Sequence, residues 1–326
     1  MSLPRLLVLS LGGTITMVPG EGRGIAPKLG AADLVAAVPA LAGLAEIEAR
    51  SPLRLPSPSL SLEDLLAVAR DIDAGFQAGF DGAVVVQGTD TIEESAFLLD
   101  VLVPGDKPVV VTGAMRGAGA AGADGPANLL AAVQVAVSSQ AQGLGTLVVL
   151  NDEIHAARFV QKAHTALTSA FSSLSGGPLG LVAEGRPHFY ARVPRLPCLD
   201  MTAGAPVPVA LFRVAMGEDG RFLRSVPGLG YAGLVLEGMG AGHVPAGMAP
   251  LLEWIAQEVP VVLATRVASG PVFTGTYGYA GAEIDLIDKG LVPAGFLTGL
   301  KARLLLALVL RSGTGLRPDD AFAPYR

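Results

Sequence analysis

The stretch Ala83-Val84-Val85-Val86-Gln87-Gly88-Thr89-Asp90-Thr91-Ile92-Glu93-Glu94 joins an unbroken apolar run to a polar turn and then to a helical pattern. A continuous run of this kind, unlike an alternating one, fits a strand covered on both faces, as in a parallel sheet. The same pattern recurs on either side. Leu6-Leu7-Val8-Leu9, Val109-Val110-Val111 and Leu147-Val148-Val149-Leu150 read as strands. Leu62 to Ile72 reads as a helix with Leu65, Leu66, Val68 and Ala69 on one face, and Ile92 to Leu102 and Ala127 to Val137 as further helices. Strand alternating with helix predicts a parallel sheet with right-handed crossovers. A smaller block follows. Val209-Ala210-Leu211-Phe212, Leu234-Val235-Leu236 and Val261-Val262-Leu263 read as strands, and Met248 to Glu258 and Lys301 to Arg311 as helices. The Pro-rich stretch Arg186 to Pro208 between the blocks reads as the connection. The expected class is α/β. A larger N-terminal domain (1–190) has a parallel-rich sheet flanked by helices, a linker covers 191–208, and a smaller C-terminal α/β domain with a parallel sheet covers 209–326.

Composition narrows the function. At 326 residues, with 51% hydrophobic and 16% charged, the chain can bury a core without disulfides or a structural metal. Gly 42 and Pro 24, with no repeat, point to many sharp turns between short elements. The net charge is -6, only five residues are lysine and no basic block occurs, so nucleic acid is not an expected partner. The single cysteine, Cys198, excludes an internal disulfide and a cysteine metal site, and four scattered histidines argue against a histidine cluster. No metal or cofactor is expected. Met1 to Leu11 faintly resembles a signal peptide but runs into Gly12-Gly13-Thr14-Ile15 with no Ala-x-Ala site. The uncharged stretch from Gly125 to Asn151 is interrupted by Gln134, Ser138, Ser139, Gln140 and Gln142, which a membrane helix tolerates poorly. The reading is a soluble, cytoplasmic protein with no membrane segment.

Ligands of open parallel sheets bind beyond the carboxyl ends of the strands, and four loops there carry polar residues. Gly12-Gly13-Thr14-Ile15-Thr16 combines a sharp turn, close backbone approach and a hydroxyl, although a Gly-Gly turn with a structural threonine is the plainer reading of these residues alone. In Gln87-Gly88-Thr89-Asp90-Thr91, Thr91-x-x-Glu94 predicts a capping box. With Thr91 as the cap, Thr89 and Asp90 sit just before a helix N-terminus, where an anion or oxyanion is favoured. In the third loop Arg116 and Asp124 are expected to pair and fix the chain. The fourth, Asn151-Asp152-Glu153, leads to Arg158 and Lys162, the latter either a surface lysine or a buried base. A threonine hydroxyl needs a base to become a nucleophile. Two threonines, an aspartate and a lysine at one sheet edge would supply nucleophile, base and substrate clamp for attack on an amide.

These motifs, taken together, resemble the bacterial L-asparaginase/glutaminase family. The resemblance rests on Gly12-Gly13-Thr14-Ile15, Gly88-Thr89-Asp90-Thr91, Lys107-Pro108-Val109-Val110, Gly113-Ala114-Met115-Arg116, Ala123-Asp124-Gly125-Pro126-x-Asn128-Leu129, Gly177-Pro178-Leu179-Gly180 and Lys301-Ala302-Arg303-Leu304-Leu305, in family order. It implies an L-asparaginase that releases ammonia through an acyl-enzyme on Thr14, without a cofactor. It further implies Thr89 beside the scissile amide, Asp90 on the substrate α-ammonium, and Lys162 in a Thr-Lys-Asp group. Ser57 would bind the α-carboxylate, with Gly13 and Gly88 lining the site, and Glu283 would be contributed by a neighbouring subunit of a dimer of dimers. L-asparagine and L-aspartate are the implied ligands.

The sequence also departs from the family pattern. Leu11 stands where a threonine is usual, Gln87 where a histidine is usual, and Pro56 and Pro58 flank Ser57. The segment Thr16 to Lys28 lacks the family's lid tyrosine; Ile25 takes its place, and Gly20, Gly22 and Gly24 predict a mobile lid. Tyr277, in Gly275-Thr276-Tyr277-Gly278-Tyr279, is the candidate to orient Thr14 in its stead. Two rivals stand beside this reading: an asparaginase-like binding protein with a dead site, and an asparaginase-like amidotransferase subunit. The latter is disfavoured by the start of the catalytic strand at Arg5 and the net charge of -6.

Overall fold

The computed structural model describes residues 2–19, 25–200 and 204–326, with side chains given outside 18–27. The chain divides into two compact units, Met1–Cys198 and Leu199–Arg326.

In the first unit, β1 (Arg5–Ser10) is followed by the short antiparallel pair β2 (Met17–Pro19) and β3 (Ile25–Pro27), then α1 (Ala31–Ala36) and β4 (Glu46–Arg50). Next come α2 (Leu62–Gln77), β5 (Gly82–Val86), α3 (Ile92–Leu102), β6 (Val109–Thr112), α4 (Gly125–Ala136) and β7 (Thr146–Leu150). The unit ends with β8 (Glu153–Ala156), β9 (Gln161–Lys162), β10 (Phe171–Ser172), β11 (Gly180–Ala183) and β12 (Arg186–Phe189). An eight-stranded sheet runs β12-β11-β8-β7-β6-β5-β1-β4. β4, β1, β5, β6 and β7 are parallel, and the three strands at the other edge pair antiparallel.

The apolar runs form the strands expected of them. Every residue of β5 and β7 is buried, as a strand covered on both faces requires. Edge strand β4 alternates exposed and half-buried residues, so it lacked the continuous run that marked its neighbours. The sheet is parallel-rich as expected, and its antiparallel edge has a local origin. Asn151 (φ 51) and Asp152 (φ 60) are both left-handed and form a two-residue turn that pairs Leu150 with Glu153. The segment after β7 is therefore a hairpin rather than a ligand loop. Glu184 (φ 50) and Gly185 (φ 73) do the same between β11 and β12. Arg186–Phe189, assigned from sequence to the connection, is consequently an edge strand.

The second unit holds β13 (Val209–Arg213), β14 (Gly233–Gly238), α5 (Ala249–Glu258), β15 (Val261–Thr265), α6 (Glu283–Asp288), β16 (Val292–Pro293), α7 (Gly299–Ser312) and α8 (Pro318–Phe322). Its four strands pair in the order β13-β14-β15-β16, all parallel. Among the described residues no helix is long and apolar enough to cross a membrane.

The segment after β12 is tied to α3 by a buried ion pair. Arg195 donates from Nη1 to Asp100 Oδ1 at 2.7 Å and from Nη2 to the Val103 carbonyl, and Asp100 also accepts the Thr146 N–H at 2.8 Å. Burial raises the Asp100 carboxyl pKa, with Arg195 and Arg158 opposing it. Cys198 completes the contact, 3.1 Å from Arg195 Nη2, and burial raises its thiol pKa. Arg195→Met removes one partner and leaves the Asp100 charge buried, so it should cost about 3–5 kcal/mol of stability. Urea denaturation of the purified variant measures this.

Candidate active site

The chain passes from β1 to β4 on one side of the sheet and returns to β5 on the other, so β1 and β5 flank a topological switch point. A crevice is expected there, outside the strands' carboxyl ends. Two glycine-bearing turns fill it. Gly12 (φ 109) and Gly13 (φ 90) follow β1 in backbone conformations that disfavour any side chain. A Cβ on Gly13 would lie 2.0 Å from the Gly88 nitrogen, and one on Gly88 would lie 2.7 Å from Ser57 Oγ. Three separate segments thus meet with no room for side chains between them.

Thr14 begins a short 3-10 turn, Thr14–Thr16, which Thr16 closes by donating to the Gly13 carbonyl at 2.7 Å. Among the described residues, the Thr14 hydroxyl has no hydrogen-bond partner. Thr89 and Asp90 form the corresponding turn after β5, Thr89–Thr91. Lys162 Nζ donates to Thr89 Oγ1 at 3.0 Å and to Asp90 Oδ1 at 2.6 Å. Lys162 is largely buried, whereas the Asp90 side chain is 61% exposed and free to meet a ligand. Ser57 Oγ accepts the Asp90 N–H at 3.2 Å, which leaves the serine proton available to donate. An open cavity of about 430 Å³ is lined by Asp90, Lys162, Ala163, His164 and Thr165. The structure therefore brings Gly13, Ser57, Gly88, Thr89, Asp90 and Lys162 together, with Thr14 adjoining Gly13.

Two expected local contacts differ. Thr91 occupies the N-cap position of α3 but does not cap it; its Oγ1 donates to the Ser57 carbonyl at 3.3 Å and accepts from Gln87 Nε2. The hydroxyl is thus drawn sideways, tying two site loops together. Asp124 does not form an ion pair with Arg116. Its carboxylate accepts the backbone N–H groups of Met115 and Arg116 at 2.9 Å, while the Arg116 guanidinium donates to the Gly122 carbonyl. The expected lid positions Gly20, Gly22 and Gly24 and the side chain of Ile25 lie outside the described residues.

A buried histidine that the sequence does not mark lies next to the strand pair carrying Lys162. Lys162 sits on β9, whose partner β10 pairs Phe171 with it. Beside the end of β10, His155 Nδ1 lies 3.0 Å from Ser173 Oγ, and both residues are buried. His155 Nε2 lies 3.3 Å from Glu153 Oε2 without hydrogen-bond alignment. Burial lowers the His155 pKa to about 4. Only the contact itself marks this histidine; in sequence it is one residue in an apolar strand.

Glu283, Tyr277 and their surroundings belong to the second unit. Glu283 is fully buried. Its Oε1 accepts the N–H groups of Thr276 at 2.9 Å and Tyr277 at 2.6 Å, and its Oε2 meets His243 Nε2 at 3.0 Å. Burial acts to raise its pKa, but the hydrogen bonds from Tyr277, its own N–H, Thr276 and His243 outweigh that and hold it below the usual glutamate value. Tyr277 packs edge-on to the His243 ring, while Tyr279 hydrogen-bonds His243 Nδ1 at 2.9 Å.

The chain matches the family models "Asparaginase, N-terminal" over residues 5–195 and "Glutaminase/Asparaginase C-terminal domain" over residues 208–318. It belongs to the asparaginase family. A relative from Deinococcus radiodurans, described as a probable L-asparaginase, is 38% identical, with 96% of this chain and 94% of the relative covered. L-asparaginase 2 of Escherichia coli is 32% identical over 95% of this chain and 90% of its own length. The structure also superposes on the crystal structure of a probable cytoplasmic L-asparaginase from Campylobacter jejuni with a TM-score of 0.85, at 31% identity, covering 98% and 99% of the two chains. The family α/β architecture, with a larger unit built on a parallel-rich sheet and a smaller parallel one, is the one described above.

The His155 pKa fixes a pH dependence. Its folded pKa, about 4, lies below the ordinary 6.5, so stability is complete above pH 6.5 and falls as pH drops towards 4. The loss should approach about 3 kcal/mol. His155→Gln, which does not titrate, should show a smaller change in urea midpoint between pH 7 and pH 4.5 than the parent.

Proposed function

We propose that this chain is an L-asparaginase, hydrolysing L-asparagine to L-aspartate and ammonia through a threonine acyl-enzyme. The reading is carried by the Lys162 amine held on both Thr89 and Asp90 at the switch point, beside the Gly13–Thr14 turn. Relatives named L-asparaginase along nearly the whole chain support it.

The chemistry follows from the groups in place. Thr14 Oγ attacks the side-chain amide carbon; its proton passes to the amide nitrogen, the C–N bond breaks and ammonia leaves. Water then adds to the ester carbon and releases aspartate and the Thr14 hydroxyl. Thr89, backed by Lys162 at 3.0 Å, is placed to orient that water. The exposed Asp90 carboxylate takes the substrate α-ammonium, and the unspent Ser57 proton takes the α-carboxylate. The working unit is a cytoplasmic homo-oligomer, a dimer of dimers, in which the second unit of one copy completes the site of another.

Thr14→Ala should abolish ammonia release from asparagine while leaving the thermal melt unchanged, and turnover should persist in excess chelator. Asp90→Asn should weaken aspartate binding by about ten- to a hundredfold, because one charge-assisted hydrogen bond is worth ~1.5–3 kcal/mol. Calorimetric titration with aspartate reads this directly; unchanged affinity removes Asp90 from the substrate site. Wild-type enzyme that binds asparagine without releasing ammonia would establish the binding-protein alternative instead.

A further inference from the structure

Gln87 is fully buried between the end of β5 and the Thr89–Thr91 turn, and no step of the reaction above uses it. Its amide folds back over that turn. Nε2 lies 3.3 Å from the Gly88 carbonyl oxygen and 3.3 Å from Thr91 Oγ1. Oε1 has no hydrogen-bond partner among the described residues. A buried acceptor left unpaired destabilises the fold, so what the amide contributes lies in its N–H groups.

The direction of these bonds follows from their acceptors. A carbonyl only accepts, so the amide atom beside the Gly88 oxygen must be the nitrogen, and the flipped amide is excluded. The NH2 group only donates, so the Thr91 hydroxyl must accept from it. Thr91 has a single hydroxyl proton, which therefore goes to the Ser57 carbonyl, 3.3 Å away. The order is fixed: Gln87 to Thr91 to Ser57. The Ser57 carbonyl also accepts the Leu60 N–H at 3.1 Å, which closes the short turn Ser57–Ser59 on itself. Thr91 is what ties that turn to the site from outside. On its other side Ser57 has little room. Its Oγ accepts the Asp90 N–H at 3.2 Å, and a Cβ on Gly88 would lie 2.7 Å from that oxygen. Ser57 is thus held at its carbonyl by Thr91 and at its hydroxyl oxygen by the turn after β5, with the hydroxyl proton left to donate.

We propose that Gln87 is a positioning residue for substrate binding, which acts through Thr91 to fix Ser57 where its hydroxyl meets the substrate α-carboxylate. The inference rests on the reading of Ser57 as the α-carboxylate donor, and its test separates the two. The α-carboxylate takes no part in the bond changes at the side-chain amide. A grip on it is equally strong before and during attack, so the relay supports binding and leaves the chemical step alone. Both links act in series on the same turn. Losing either one frees Ser57 in the same way, and losing both adds nothing further.

Steady-state asparagine hydrolysis and calorimetric titration with L-aspartate are compared for the full-length parent, Q87L, T91V, T91S, Q87L/T91V and S57A. Q87L and T91V should each raise KM and the aspartate dissociation constant about three- to tenfold, the effect of one neutral hydrogen bond, with kcat within about twofold of the parent. T91S keeps the hydroxyl and should recover most of the affinity that T91V loses, which a role in packing alone would not give. Q87L/T91V should bind aspartate no more weakly than the weaker single variant. Should Q87L fail to fold, T91V and T91S decide the matter. A lowered kcat with KM unchanged, T91S as weak as T91V, or losses that add in the double variant overturns the relay. S57A that weakens aspartate binding while Q87L and T91V bind as the parent does removes the relay alone. S57A with unaltered aspartate affinity overturns the α-carboxylate reading of Ser57, and the relay with it.

Discussion

The site depends on one steric constraint. The turn after β1 passes so close to the turn after β5 that an atom added to Gly13 would sit 2.0 Å from the Gly88 nitrogen. Neither backbone can withdraw, because the strand ends behind them are buried and hydrogen-bonded in register, Leu9 with Val85 and Ser10 with Val86. Close packing of this kind does not stretch continuously. The contact therefore fixes where Thr14 and Thr89 stand before any ligand arrives, and the remaining polar contacts adjust around it.

Those contacts run mostly to backbone. Asp124 holds two N–H groups, Asn128 donates to the Gly113 carbonyl and accepts the Asn151 N–H, and Thr91 reaches the Ser57 carbonyl. Side chains that secure main chain in this way leave the exposed Asp90 carboxylate and the Ser57 and Thr14 hydroxyls with hydrogen-bonding capacity unused. Preorganised groups of this sort lose little ordering entropy on binding.

Much of this was legible in the sequence, and the misses have physical causes. Continuous runs such as Val84-Val85-Val86 mark strands covered on both faces, so the central sheet could be read directly. Edge strand β4 and the hairpin strands β8, β11 and β12 are short or half-exposed and carry no such run. Thr14, Thr89 and Asp90 were legible as candidates because each follows a strand end with a glycine turn, whereas Lys162 stayed open between a surface and a buried reading until the family resemblance singled it out. Thr91 matched the capping pattern, yet its hydroxyl went to Ser57, a partner 34 residues away that no local pattern encodes. His155, His243 and Tyr279 were missed for the same reason: their partners lie 18 to 40 positions distant.

Sequence distance has a kinetic consequence. Lys162 meets Thr89 across 73 residues, Asp90 meets Ser57 across 33, and Arg195 meets Asp100 across 95. Contacts of such long range form only after the parallel strands between them have closed, and loop closure on that scale makes folding slow. The half-built first unit must therefore persist with its Val-rich strands unpaired. For a chain this apolar, the hazard lies in the interval of assembly, when association between nascent chains competes with closure of the sheet.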